Sequence, residues 1–112
     1  MNTPASIPQL VSQVVRELDP EAKIVLFGSQ ARGDVHQESD WDFLVLSEKI
    51  STRANKRRFY DRMLDIELAT GEVFSFLIND PAAWHRKQGW PIHDEVTQDG
   101  ILLWKVNTSN IV

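Results

Sequence analysis

Two acidic residues two positions apart, Asp40 and Asp42, follow a glycine-bracketed turn, and this pairing holds most of the chemistry the sequence can do. The turn reads Leu26-Phe27-Gly28-Ser29-Gln30-Ala31-Arg32-Gly33, and a ten-residue spacer, Gln30 to Ser39, separates Gly28-Ser29 from Asp40-Trp41-Asp42-Phe43-Leu44-Val45. On an extended chain, residues two apart share a face, so both carboxylates project together while Trp41 points into the opposite layer. Neighbouring buried carboxylates are costly unless a divalent cation neutralises them. Magnesium prefers one or two carboxylates, with phosphate oxygens and water completing its shell. A strand that ends at Gly28 and turns directly into a helical segment at Ser29 offers backbone N–H groups and a positive helix end to an anion. Gly28 lets the backbone approach a phosphate and Ser29 adds a hydroxyl donor. Arg32 offers a planar, charge-assisted pair of bonds, and Gly33 permits the turn back. The chemistry expected is in-line displacement at the α-phosphorus of a nucleoside triphosphate, with two cations about 4 Å apart at the attacking and leaving oxygens.

Other phosphate and metal motifs fail on residues. Gly28 to Gly33 has the spacing of a P-loop opening, but Asp34 and Val35 stand where lysine and a hydroxyl residue are needed. No Gly-x-Gly-x-x-Gly occurs, and a calcium loop starting at Asp40 would place Val45 and Ser51 where glycine and glutamate are required. Cys is absent, which removes thiolate zinc sites and thiol catalysis and fits a reducing, cytoplasmic setting. The net charge of −4 makes nonspecific affinity for nucleic acid or an anionic membrane unexpected. No apolar run approaches the ~18 residues of a membrane span, and Met1 to Gln9 has neither the basic nor the apolar region of a leader.

The motif set resembles the nucleotidyltransferase superfamily related to DNA polymerase beta, whose signature is Gly-Ser, a spacer, then Asp-x-Asp at the start of a strand. The elements Gly28-Ser29-x-Ala31-Arg32-Gly33 and Ser39-Asp40-x-Asp42 are similar to its minimal nucleotidyltransferase (MNT) branch, short chains often encoded beside a helical HEPN partner. The resemblance rests on residues 24–46 by motif and on element order elsewhere. It implies an α/β (α+β), palm-like fold with a mixed sheet of four to five strands flanked by helices. It also implies Mg2+ or Mn2+ held by the catalytic Asp40 and Asp42, and ATP or another nucleoside triphosphate on Gly28, Ser29 and Arg32. The activity implied is transfer of a nucleoside monophosphate, AMP foremost, to a hydroxyl on a partner protein or small molecule, as in the antitoxin of a HEPN/MNT toxin–antitoxin pair. Active members usually add a third carboxylate from a neighbouring strand. Alternation there places Val73, Ser75 and Leu77 on one face and Glu72, Phe74, Phe76 and Ile78 on the other, so Ser75 falls at the third-acid position. Serine neither balances metal charge nor accepts a proton well. Glu72 substitutes only if the register differs by one or three positions. Two outcomes stay open: a nucleotidyltransferase, or a weakened or inactive module that acts by binding a HEPN-like protein. With no residues left for a second domain, closing the site falls to that helical partner or to self-association.

The elements that must position these residues follow from periodicity and punctuation. The chain of 112 residues, 42% hydrophobic, is long enough for one core, over residues 1–106, with a polar tail at 107–112. Ile7, Leu10, Val11, Val14, Val15 and Leu18 have helical spacing behind a Ser6/Gln9 capping box, and Asp19-Pro20 stops the helix. Ile24 to Phe27 reads as a strand buried on both faces, and Asp40 to Leu46 as the second. A long helix spans 51–69 with Gly71 as its stop, and a third strand spans 73–78. Asp80-Pro81 opens a short helix ending at Gly89, a last helical turn lies near 92–99, and Ile101 to Trp104 forms a fourth strand. Arg53, Lys56, Arg57, Arg58 and Arg62 make the long helix basic, but pairing of Arg57 and Arg58 with Asp61 and of Arg62 with Asp65 reads it as a solvated face. His36, His85 and His93 lack metal spacing, though His36 sits in the spacer within reach of a substrate. Of Trp41, Trp84, Trp90 and Trp104 most are expected as core anchors, and an aromatic exposed for a partner is expected at Trp84 or Trp90.

Overall fold

The computed structural model describes residues 6–33 and 40–104. The element order is α1 (Ile7–Leu18), β1 (Lys23–Phe27), α2 (Gly28–Arg32), β2 (Trp41–Leu46), α3 (Arg53–Thr70), β3 (Phe74–Asn79), α4 (Pro81–His85), α5 (Pro91–Asp99) and β4 (Ile101–Trp104). The spacer segment with His36 and the tail from Asn107 lie outside the described residues.

Local sequence explains most boundaries. The hydroxyl of Ser6 accepts from Gln9 N–H at 3.3 Å, and Ser6 N–H donates to Gln9 Oε1 at 2.9 Å, so the capping box opens α1 as expected. α3 ends at Gly71, whose φ of +75° lets its N–H reach Glu67 C=O. Asp80 caps α4 through a 2.8 Å bond from Ala83 N–H, and Pro81 occupies the first turn. The expected short helix to Gly89 is only α4 followed by a turn, and the expected last turn is a nine-residue helix, α5. Pro91, just after its N-cap Trp90, starts it.

The strands form one sheet in the order β3-β2-β1-β4, with β1 antiparallel to β2 and β4, and β2 parallel to β3. A parallel neighbour needs a crossover, and α3 supplies it. One face carries Ile24, Leu26, Phe43, Val45 and Phe74 against Val11, Val14 and Val15 of α1 and Phe59 and Met63 of α3. Phe76 stacks on Phe43 at 5.5 Å between ring centroids and meets Phe59 edge-on at 4.7 Å, pinning α3 to the sheet. The other face carries Val25, Phe27, Leu44 and Leu46 under Trp84 of α4 and Val96 of α5. The result is an α/β/α sandwich with a four-stranded mixed sheet, and β1 is buried on both sides as its unbroken apolar run implies.

One buried polar knot was not legible beforehand. Asp19, read only as a helix stop, accepts from Ser47 Oγ at 2.6 Å and from Glu21 N–H at 2.9 Å, and Ser47 Oγ in turn accepts from Ile50 N–H at 2.8 Å. This knot joins the α1–β1 turn to the β2–α3 loop and leaves none of its buried side-chain atoms unpaired.

Candidate active site

β1 runs into α2 without a connecting loop, Gly28 taking φ +76° and α2 starting with no side-chain cap. Register places Phe27 beside Asp42 and Asp42 beside Ser75, so these residues form one row across three strands. Together with Phe76, Leu77 and, from α5, Ile92 and Glu95, they line an open cleft of ≈ 280 Å³. A Cβ on Gly28 would lie 3.1 Å from Asp42 Cγ and closer still to its Oδ2, so only hydrogen fits between the turn and the acid. The structure therefore brings Gly28 to Asp42. Asp40 is exposed just before β2, near enough that its charge acts on Asp42, and Ser29 is half-buried in α2. Trp41 points to the opposite layer, as alternation requires.

Arg32, expected at the phosphates, is paired with Asp99 of α5 through a 3.2 Å contact. Its side chain remains 41% exposed, and an ion pair that open to solvent contributes little to stability. Ser75 stands directly beside Asp42 on β3. Glu72 is not brought to the cleft: its carboxylate accepts from Trp41 Nε1 at 3.1 Å, and Trp41 packs on the α1/α3 side of the sheet.

Burial raises the pKa of Asp42 above the ordinary 3.8, and the charges of Asp40 and then Glu95 raise it further, with only Arg32 opposing. An anion held at a cost beside two others is a place a divalent cation fits. Among the described residues no three His, Asp or Glu side chains converge to hold a metal by themselves. A cation at Asp40 and Asp42 would therefore draw its remaining ligands from phosphate oxygens and water, which suits magnesium.

The raised pKa has a consequence for stability. Below 3.8 Asp42 is neutral both folded and unfolded and carries no penalty. As pH rises through the folded-state value, the unfolded chain ionises more readily and stability is lost. Metal-free Asp42→Asn should therefore melt above the parent at neutral pH, and the gap should close as pH falls below the ordinary carboxylate range. Thermal melts in chelator across pH check this, and added Mg2+ with nucleotide should narrow the gap by stabilising only the parent.

Other expectations fare unevenly. Arg62 pairs with Glu17 of α1 at 2.7 Å and not with Asp65, because α1 lies alongside α3. Trp84 is buried under the sheet with His93 stacked on it at 4.9 Å, and Trp90 is the exposed member of that pair, at 56%. Glu95 was missed altogether. Its signal was present: Ile92, Glu95, Val96 and Asp99 have the spacing of one helical face, and that face of α5 meets the cleft, the sheet and Arg32.

A Gly-Ser turn set against an aspartate on the neighbouring strand, in a mixed sheet between helices, defines the class as a nucleotidyltransferase fold. The nucleotidyltransferase domain model matches residues 9–88, and the chain belongs to that family, whose chemistry is nucleotidyl transfer. The "Putative protein adenylyltransferase MJ0604" of Methanocaldococcus jannaschii is 30% identical over 82 residues, spanning 73% of this chain and 77% of that protein. In fold, the chain is similar to one in the crystal structure of a toxin–antitoxin with AMP-PNP, with a TM-score of 0.65, 19% identity, and 95% of this chain and 79% of that one covered. It is also similar to one in the structure of the tri-AMPylated Shewanella oneidensis HEPN toxin with its MNT antitoxin, with a TM-score of 0.56, 17% identity, and coverage of 93% and 74%. These neighbours share the fold of this chain. Among the described residues no helix is long and apolar enough to cross a membrane.

Proposed function

We propose that this chain transfers AMP from ATP to a hydroxyl of a HEPN-like helical protein and thereby silences it. The observation that carries this is the Gly28–Asp42 approach at the head of a cleft, with an electrostatically strained carboxylate and no side chain between it and the turn. The adenylyltransferase relative and the AMPylated toxin beside a similar fold support AMP as the group moved and a protein as the acceptor.

In this reading the α2 N–H groups, Ser29 and Arg32 hold the triphosphate, with Arg32 exchanging Asp99 for phosphate oxygens. Asp40 and Asp42 hold Mg2+ or Mn2+, which when bound neutralises charge on the triphosphate. The acceptor oxygen bonds to the α-phosphorus, the bond from that phosphorus to the bridging oxygen breaks, and pyrophosphate leaves with the electron pair. The hydroxyl proton passes to water, since Ser75 cannot take it. Fixing the reactants in line supplies much of the rate.

Ser75 also favours a second reading, in which the chain acts by binding alone. Incubation with ATP labelled at the α-phosphate, Mg2+ and a HEPN-like helical protein separates the two. Label on that protein together with loss of silencing in Asp42→Asn supports transfer. Silencing that survives Asp42→Asn supports binding alone, and HEPN-like proteins neither labelled nor bound overturn both.

A further inference from the structure

We infer that α3 is a self-association surface of this chain, packing antiparallel against α3 of a second copy about a two-fold axis. The inference is independent of the nucleotide reading of the cleft. α3 carries apolar residues on two faces. Phe59 and Met63 are buried against the sheet, while Tyr60, Leu64 and Leu68, each four residues on from the last, are 45%, 51% and 77% exposed along one outer stripe. Tyr60 meets Phe76 of β3 edge-on at 6.1 Å, so the stripe lies on the β3 side of α3; β3 is an edge strand, and Val73, 55% exposed, leads into it. α1 covers the opposite flank of α3, where Arg62 meets Glu17. Exposed apolar residues scattered singly need no explanation, but four gathered along one edge of a small chain form the kind of patch that marks an interface.

Charge selects the occupant. The first two turns of α3 hold Arg53, Lys56, Arg57 and Arg58 and no acid, whereas from Asp61 onward the helix holds Asp61, Asp65 and Glu67, with Arg62 already paired to Glu17. A parallel copy would set like charges together. An antiparallel copy sets the basic turns of each helix on the acidic turns of the other. The register is specific as well. At about 100° per residue, Lys56 and Glu67 flank the stripe on its half-buried, sheet-facing side, and Arg58 and Asp65 flank it on the exposed side. Matching flanks meet in an antiparallel pair. A single crossing point midway between Asp61 and Arg62 therefore puts Lys56 opposite Glu67 of the second copy and Arg58 opposite its Asp65. Glu67 accepts from Phe74 N–H at 3.0 Å through Oε1, which holds it on that flank and leaves Oε2 for the lysine. At the same crossing Tyr60 and Leu64 of each copy meet across the axis and lose their exposure to water. The contact is isologous, so each favourable pair occurs twice and the assembly closes at two copies.

The test is the oligomeric state of the full chain, read by sedimentation velocity over a concentration series, with thermal melts verifying that each variant is folded. The parent should sediment at twice the chain mass. Leu64→Glu should weaken dimerisation by at least about tenfold, because it buries two like charges without partners near the axis. Arg58→Asp and Asp65→Arg should each weaken it several-fold, and the two together should restore it, since the pair re-forms with its charges exchanged. Leu102→Glu, on β4 at the far edge of the sheet and 44% exposed, should leave the dimer intact. A parent still monomeric at roughly 100 µM, where a micromolar interface would be saturated, overturns the inference. So does a folded Leu64→Glu that dimerises as the parent does, an equal loss in Leu102→Glu, or a double charge reversal that rescues nothing. A monomeric parent that binds a HEPN-like helical protein, with binding lost in Leu64→Glu, overturns the second copy in favour of that partner.

Discussion

Replacing Asp40 and Asp42 together by alanine should reduce label transfer from ATP by at least about 10³-fold, because losing even one preorganised group that stabilises charge in the transition state costs on the order of 10² to 10³ in kcat. The loss should be catalytic and not structural. Asp42 is destabilised by burial and by its neighbours, and Asp40 is exposed, so the double variant should fold with a melting temperature equal to or above that of the metal-free parent. Chelation of the parent should reproduce the loss of transfer. A quantitative transfer assay beside a thermal melt checks both halves. Transfer that persists in a folded double variant would remove the mechanism, whatever the acceptor.

Gly28→Ala should be the most damaging change of one small residue. Gly28 sits at φ +76°, where an L side chain costs roughly 1–2 kcal/mol, and its new Cβ would overlap the Asp42 carboxylate. Relief of that overlap requires either Asp42 or the β1–α2 junction to move, adding about 1–3 kcal/mol of overpacking. Either movement destroys the approach of turn to acid, so Mn2+–nucleotide binding should fall by more than about tenfold, a loss of over 1.4 kcal/mol. Gly33→Ala is the matched comparison. Gly33 has a similar φ of +74° but open space around its Cβ position, so it should lose only the backbone part of the stability and keep its ligand affinity. Denaturant melts and the same binding titration for both variants separate strain from site damage. Equal binding losses at the two glycines would show that the Gly28–Asp42 contact is not what matters.

The positions of Gly28, Asp40, Asp42 and Ser75 were legible because each depends on short-range rules. An apolar run broken by glycine ends a strand, alternation puts residues two apart on one face, and Ser75 follows from counting along the third strand. The same reasoning did not foresee the partners of Arg32 and Arg62. It weighed partners within a helical turn, whereas Arg32 meets Asp99 at a sequence separation of 67 and Arg62 meets Glu17 at 45. Glu72 illustrates the limit from the other side. Its charge suited the missing acid, but the pleat sends it to Trp41.

By itself, then, the sequence determined the elements and the chemical repertoire: caps at Ser6 and Asp80, stops at Gly33 and Gly71, a two-sided strand at 24–27, and an acid pair after a Gly-Ser turn. These are set by sterics and hydrogen bonds within about four residues. Only the tertiary structure decided that Phe27, Asp42 and Ser75 align in one row, that Arg32 rests on Asp99, and that Glu95 lines the cleft. Those outcomes depend on strand order and on the rotation of α5 over the sheet, which Val96 and Ile92 fix by burying apolar surface against strands far away in the chain.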